Sequence, residues 1–112
     1  MTTLHELIDR EFGIRTRERE DTPDVSLDVN DTIVIRADSS RVGFIIVNTG
    51  AEIALMRFNR TPSAAVNIPI AADGGTLNMT YKEDYHLVGR ELHGLVAANT
   101  TTLHVLEVLI EP

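Results

Sequence analysis

The apolar residues of the first 13 positions recur with the spacing of one helical face. They are Leu4, Leu7, Ile8 and Phe12. Thr3 and Glu6 fit a capping box, in which a hydroxyl and a carboxylate bind free backbone N–H groups, and Gly13 is a suitable C-terminal stop. The pattern predicts a short N-terminal helix that docks on another surface, because a helix of this length is only marginally stable alone.

Residues 15–24 break this pattern, with seven charged side chains and one proline. Such a composition predicts a solvated linker. We therefore expect two parts, an N-terminal helix and charged arm over residues 1–24 and a β-domain over residues 25–112. The pattern leaves open whether the helix binds a partner or packs on its own domain.

From Val25 onward the hydrophobic period changes to two, which is typical of strands with one buried face. Segments 42–47 and 102–110 are apolar on both faces and predict central strands, although a buried helix is an alternative for the second. About eight short strands predict a mainly β fold, a single antiparallel β-sandwich of jelly-roll-like form. The predicted strands lie at 25–29, 32–37, 42–47, 51–58, 66–70, 76–81, 85–88, 92–97 and 102–110.

Turn residues between these segments predict how the strands are joined. Asn30-Asp31 predicts a strand pair from 25–29 and 32–37, and Asn48-Thr49-Gly50 predicts a hairpin from 42–47 and 51–58 at the centre of the fold. Pro69 restricts its strand to a sheet edge, because proline has no N–H to donate to a neighbouring strand.

Composition narrows the classes of function. The chain has no cysteine, which excludes disulfides, thiolate zinc sites and cysteine nucleophiles. A formal net charge of −7 argues against a nucleic-acid partner, because phosphate contacts need clustered cations. The N-terminus lacks a secretory pattern and no apolar run is long enough to span a bilayer, so we expect no signal peptide and no membrane partner.

The histidines are the best candidates for a metal or catalytic site. His86, His93 and His104, with Glu91 close to His93, fall on predicted strands and are compatible with a metal site of the cupin-like kind. Their spacing lacks the close H-x-H or H-x-x-x-H pair typical of such sites, and no serine lies in a G-x-S-x-G elbow. We therefore predict no catalytic centre, metal or cofactor, and keep the metal-dependent cupin-like enzyme as an alternative.

Several strand and turn segments resemble a known family. They are 41–50 (RVGFIIVNTG), 61–63 (TPS), 68–70 (IPI), 73–75 (DGG) and 102–108 (TLHVLEV). In pattern they are similar to small β-sandwich accessory proteins of tailed-bacteriophage virions, which decorate heads or lie at head-tail interfaces. The resemblance implies location in a virion, a symmetric oligomer with a trimer favoured, and a partner that is the major capsid protein or another virion protein.

These observations predict a virion structural protein, a capsid decoration or cement subunit that acts through protein–protein contacts and is not an enzyme. An alternative is an adhesin-like sandwich that binds a glycan or receptor through loops at Asn59-Arg60-Thr61 and Asp73-Gly74. The predicted partner-binding residues are apolar anchors and arginines suited to an acidic lattice, namely Leu4, Leu7, Ile8, Phe12, Arg15, Arg17 and Arg19.

Overall fold

Strands make up most of the chain in the computed structural model, which describes residues 16–20 and 24–110. These residues contain nine strands, a single helical turn α1 (Tyr81–Asp84) and a 3-10 helix (Tyr85–Gly89). The strands are β1 (Thr16–Arg19), β2 (Asp24–Leu27), β3 (Thr32–Ile35), β4 (Arg41–Asn48), β5 (Ala54–Phe58), β6 (Ile68–Ile70), β7 (Gly75–Thr80), β8 (Leu92–Leu95) and β9 (Thr101–Ile110). No helix in this part of the chain has the length and apolar character needed to cross a membrane.

The strands form two antiparallel sheets. Sheet I has the order β1-β9-β4-β7, and β2 pairs with β9 beside β1. Sheet II has the order β3-β8-β5-β6. From β2 to β9, every connection except β5–β6 crosses from one sheet to the other. The prediction of a mainly β sandwich is confirmed at this level.

The hydrophobic core lies between the sheets and takes side chains from both. Phe44 and Ile46 of β4 and Leu103 of β9 come from sheet I, while Met56 and Leu92 come from sheet II. Each of these residues is at most 2% exposed. Burial of one such side chain contributes roughly 1.5–3 kcal/mol, so the core is the main source of stability.

The strongest strand predictions are confirmed. β4 lies between β9 and β7, and β9 lies between β4 and the pair β1 and β2, so both are central strands. Residues 102–110 belong to a strand and not to a helix. Pro69 lies in β6, whose only strand partner among the described residues is β5, so its strand is at a sheet edge as predicted.

Both predicted hairpins are wrong. β4 pairs with β7 and β9 whereas β5 pairs with β6 and β8, and likewise β2 pairs with β9 whereas β3 pairs with β8. The turn residues reverse the chain, but each reversal carries it into the opposite sheet. Asn48 shows the reason, because its side chain is anchored to Ile70 and Thr101, which are distant in sequence and define the crossing point.

The predicted strand at 85–88 is also wrong, because Tyr85–Gly89 forms a 3-10 helix. The chain leaves β7 at Thr80, whose N–H donates to the Asp84 carboxylate at 3.0 Å and so favours a helical turn there. Val88 enters the core, and the carbonyl of Gly89 accepts a hydrogen bond from the N–H of Asp38 at 2.9 Å. The short apolar segment 85–88 is therefore helical and packs Val88 against the core of the sandwich.

Part of the charged segment predicted as a linker is a strand. Thr16–Arg19 pairs with Leu109 and its neighbours in β9 and extends sheet I. The segment lacks apolar alternation because it is an edge strand whose Arg19 is bound through an ion pair to Glu107. The predicted N-terminal helix over residues 1–13 lies outside the described residues.

Candidate functional site

A buried arginine organises one end of the sandwich. Arg41, the first residue of β4, is 2% exposed. Its Nε donates to the carbonyl of Val88 at 2.7 Å, its Nη2 to the carbonyl of Arg90 at 2.8 Å, and its Nη1 to the carbonyl of Arg36 at 2.9 Å. Nη1 also lies 2.7 Å from a carboxylate oxygen of Glu107. The guanidinium thus ties the C-terminal end of the 3-10 helix and the segment after β3 to the central strands β4 and β9.

Two further charges complete this cluster. Nη2 of Arg19 lies 2.7 Å from Glu107 and 3.0 Å from Asp38. The hydroxyl of Ser40 donates to Asp38 at 2.6 Å, which lowers the pKa of the Asp38 carboxyl; burial opposes this effect, while the backbone N–H of Ser40 and the charge of Arg19 add to it. The cluster pairs its carboxylates with arginines of the same domain, so it suits structural support.

A buried amide has the same function at the opposite end of β4. Asn48 is 0% exposed, and its Nδ2 donates to the carbonyls of Glu52 at 2.8 Å and Ile70 at 3.2 Å. Its Oδ1 accepts from the hydroxyl of Thr101 at 2.7 Å and from the N–H of Gly50 at 3.1 Å. A Cβ atom on Gly50 would lie 2.1 Å from the Thr101 hydroxyl, so only glycine fits this position without displacing β9.

The sequence interpretation did not identify Arg41, Glu107 or Asn48 as anchors. Asn48 lies in a predicted turn, and Arg41 directly precedes the strand predicted at 42–47. One signal was present, because Arg41 directly precedes the apolar segment 42–47 and Glu107 is the one charged residue within the apolar segment 102–110. Buried charges are usually paired, so two such residues of opposite sign predict an ion pair between those segments.

His93 is held between two carboxylates on the outer face of sheet II. Its neighbour Gly94 faces the core, since a Cβ atom there would lie 2.9 Å from the Met56 sulfur, and strand alternation turns His93 outward. Nδ1 is 2.8 Å from Asp31 and Nε2 is 2.6 Å from Glu91. Burial lowers the pKa of His93, but hydrogen bonds to both carboxylates and their charges outweigh it, so that its pKa is raised.

This arrangement favours an imidazolium that connects β8 to the loop before β3. Both ring nitrogens are within hydrogen-bonding distance of a carboxylate oxygen, so neither is positioned to take a proton from a substrate without breaking a contact. Arg57 of β5 lies directly across from His93 and adds a positive charge on this face. His93 is therefore a bridging residue in this geometry.

The His93 contacts predict a specific pH dependence of stability. The raised pKa means that protonation favours the folded state, so the stabilisation is complete below about pH 6.5 and is lost as pH rises through the folded-state pKa. We expect the melting temperature to fall by several degrees between pH 6 and pH 9, since about 1 kcal/mol corresponds to about 4 °C or more in a domain of this size. The decrease in melting temperature should be smaller in His93→Gln. An equal dependence of the melting temperature on pH in the variant and the wild type would contradict this role.

The other histidines do not join His93 in a metal site. His86 lines a recess of about 430 Å³ with Tyr81. His104 lies on sheet I, within 3.2 Å of Glu20, whereas His93 lies on sheet II. Among the residues described, no group of three or more potential ligands is placed to hold a metal ion. The four residues of the cupin-like alternative are therefore not brought together.

The predicted partner-binding residues fall into two groups. Leu4, Leu7, Ile8, Phe12 and Arg15 lie outside the described residues. Arg17 is exposed on β1, where it is accessible to a partner, and Arg19 is bound to Glu107 within the domain. A role for either arginine in attachment remains a prediction.

The two loops of the adhesin-like alternative lie at opposite ends of β5. Asn59 follows Phe58, and its N–H donates to the carbonyl of Glu91 at 2.9 Å. Asp73 lies near the other end, with its N–H 2.9 Å from the carbonyl of Gly50. The structure does not bring these loops into one binding surface.

The fold of this chain is similar to that of a solved structure. No protein-family model matches the chain, and no curated protein matches it. A solved structure described with the words "Bacillus endospore appendages form a novel family of disulfide-linked pili" matches with a TM-score of 0.53 and 13% sequence identity. The match covers 87% of this chain and 89% of that chain. At this identity the likeness shows a shared fold.

Proposed function

We propose that the protein is a structural subunit that adds contacts within an ordered protein assembly, and that the assembly is a virion on which it acts as a decoration or cement subunit. The observation that carries the structural role is the shared fold with a pilus protein, which extends over 87% of this chain and 89% of the other. The disulfide linkage named for those pili cannot apply to this chain, which has no cysteine.

The internal chemistry of the domain agrees with a scaffold. Arg41, Asn48 and His93 are the buried side chains with the most hydrogen-bonding capacity, and each binds backbone or carboxylate groups of its own domain. They tie loops to central strands and leave the outer surfaces for contacts with other subunits. Rigid presentation of such surfaces lowers the entropy lost on association.

The virion assignment rests on the sequence resemblance and is compatible with the strand connections. Alternation of consecutive strands between two sheets is the arrangement of jelly rolls, which occur in viral capsid proteins, lectins and cupins. Fold alone does not separate these functions. The segments that resemble phage accessory proteins include β4, β6 and most of β9, which support a decoration subunit among these choices.

Attachment in this proposal uses residues before β1 together with the exposed Arg17 of β1. Leu4, Leu7, Ile8 and Phe12 supply an apolar face for a partner's groove, and Arg15 and Arg17 supply charge for an acidic rim. A subunit that binds only the assembled particle stabilises it by mass action. The free energy of this stabilisation rises with the concentration of the subunit.

Deletion of residues 1–15 is expected to separate attachment from folding. The variant keeps β1 and should melt within about 3 °C of the full chain, a shift worth less than about 1 kcal/mol. Its affinity for particles purified from the source of the chain and stripped of this subunit should fall at least about 100-fold, which corresponds to about 2.7 kcal/mol. Co-sedimentation of the purified variant with those particles measures the loss.

A matched control keeps the length of the arm. Replacement of the four apolar anchors by serine should reduce particle binding as much as the deletion, whereas serine at Thr2 and Thr3 should leave it unchanged. A deletion variant that no longer folds would show that residues 1–15 belong to the core. A folded deletion variant that binds particles normally would contradict attachment through this segment.

A further inference from the structure

The two sheets have four edges, and three of them carry features that prevent strand addition. β6 has only three residues and contains Pro69. β3 has a register irregularity against β8 and is flanked by Asp31 and Arg36. The edge formed by β1 and β2 is discontinuous and charged. Proline, bulges, charge and short length are the usual devices that protect an edge from pairing with another chain.

The fourth edge, β7, lacks these devices. Its six residues, Gly75–Thr80, contain no charged residue and no proline. They pair with β4 from Gly43 to Asn48 without a register shift. Leu77 and Met79 are half-buried against the core, while Thr76 and Asn78 are exposed. β7 is thus a regular, neutral strand with one apolar and one polar face.

The hydrogen bond at the end of β7 shows which backbone groups face outward. Thr80 pairs with Gly43, but its N–H donates to the Asp84 carboxylate and therefore points away from β4. In an antiparallel pair, alternate residues direct both N–H and C=O to the same side. Thr76 and Asn78 consequently present their backbone groups at the open edge, where the described residues provide no hydrogen-bond partner for them.

We propose that β7 pairs antiparallel with β7 of a second copy of this chain, about a two-fold axis at Leu77. In this register Thr76 of each copy lies opposite Asn78 of the other, so that the outward backbone groups form four hydrogen bonds. Leu77 meets Leu77 of the second copy on the core side, where both are half-buried. Sheet I thereby continues through the axis into sheet I of the second copy.

The distribution of charge favours contact between two copies at β7 over contact at the other sheet edges. Each copy carries a formal net charge of −7, so two copies repel at surfaces rich in carboxylates. The segment from Gly74 to Thr80 is uncharged, and its strand is complementary to itself. An isologous contact of this kind closes as a dimer and does not extend into a fibre.

The contact is short, so the free dimer is weak. Interfaces below about 1,200 Å² belong to weak or transient complexes, and we expect a dissociation constant on the order of 100 μM. Repetition in an assembly strengthens such a contact, because a subunit held at a second site binds intramolecularly. The inference deepens the proposed structural role by naming one contact between copies.

Sedimentation of the full chain between about 10 μM and 1 mM tests the pairing. The wild type should shift from monomer to dimer. Asn78→Pro should raise the dissociation constant at least about 10-fold, because proline lacks the N–H that residue 78 would donate to the second copy. The variant should still fold, since the N–H of residue 78 points away from β4 and is not used in sheet I. Asn78→Lys should act similarly. Ser26→Lys on the opposite edge of sheet I is the matched control and should dimerise as the wild type does.

Cysteine scanning tests the register, since the chain has no cysteine of its own. Leu77→Cys should form a disulfide dimer faster than Thr76→Cys or Asn78→Cys, because residue 77 faces itself across the axis at a Cα separation of about 4.5 Å. Fastest linkage at residue 78 would overturn this register. A wild type that stays monomeric to 1 mM, or dimerises equally after Asn78→Pro, would overturn the contact while leaving particle binding to be judged separately.

Discussion

Arg41→Leu is expected to lower the free energy of unfolding by about 3–5 kcal/mol, the largest effect of any single substitution considered for this protein. The change leaves the Glu107 carboxylate with Arg19 as its one remaining cation among the described residues, and it removes the buried cation at the start of β4. It also leaves the carbonyls of Val88, Arg36 and Arg90 without their donor. Chemical denaturation followed by circular dichroism measures the loss, because the chain has no tryptophan.

Arg57→Leu is the matched control for this prediction. Among the residues that the structure describes, the guanidinium of Arg57 on β5 donates only to the carbonyl of Thr61, at 3.5 Å. Its replacement should cost less than about 1 kcal/mol, as for exposed polar contacts. In a double variant with Glu107→Leu, part of the Arg41 loss should return, because the carboxylate that has lost one of its two cations is removed. A loss at Arg41 no larger than at Arg57 would show that the buried cluster does not hold this end of the sandwich.

Asn48→Ala is expected to cost about 3 kcal/mol. The substitution leaves the carbonyls of Glu52 and Ile70 without a donor and the hydroxyl of Thr101 without its acceptor, in a site that is 0% exposed. Each buried group left without its partner costs roughly 1–3 kcal/mol, and partial relaxation keeps the sum below the maximum. The denaturant concentration at the midpoint of unfolding should decrease, while the slope of the free energy of unfolding against denaturant concentration changes little.

Asn67→Ala provides the comparison for Asn48. The Asn67 amide donates to the carbonyl of Ser63 at 2.9 Å, but its contacts are exposed to water. Water replaces an exposed hydrogen bond, so the variant should lose less than about 1 kcal/mol. Similar losses at the two asparagines would contradict the view that Asn48 fixes the crossing between the sheets.

Local pattern was sufficient for most of the strands but not for their partners. β4, β7 and β9 were predicted because alternation and branched residues act within a few positions of the chain. The hairpin at Asn48 was wrong because turn residues determine a reversal and do not determine which sheet receives the next strand. That choice depends on the contact between Asn48 and Thr101, 53 positions later, which a local pattern does not contain.

The same limit applies to the buried anchors and the edge strands. Arg41 and Glu107 meet because β4 and β9 are neighbours; their opposite charges indicate an ion pair, but the sheet order is needed to show that these two strands are adjacent. β1 was missed because an edge strand stabilised by ion pairs has the composition of a solvated linker. The open edge of β7 likewise follows from sheet order, although the alternation of the strand itself was predicted.

The central claim, that the protein is a subunit of an ordered assembly, is tested most directly by where the chain is found in its natural source. Assembled particles separated on a density gradient, with each fraction quantified by mass spectrometry, provide that measurement. A subunit of such an assembly should follow the particles at a constant ratio to their main protein across the whole peak. Recovery of the chain only among free proteins at the top of the gradient would contradict it.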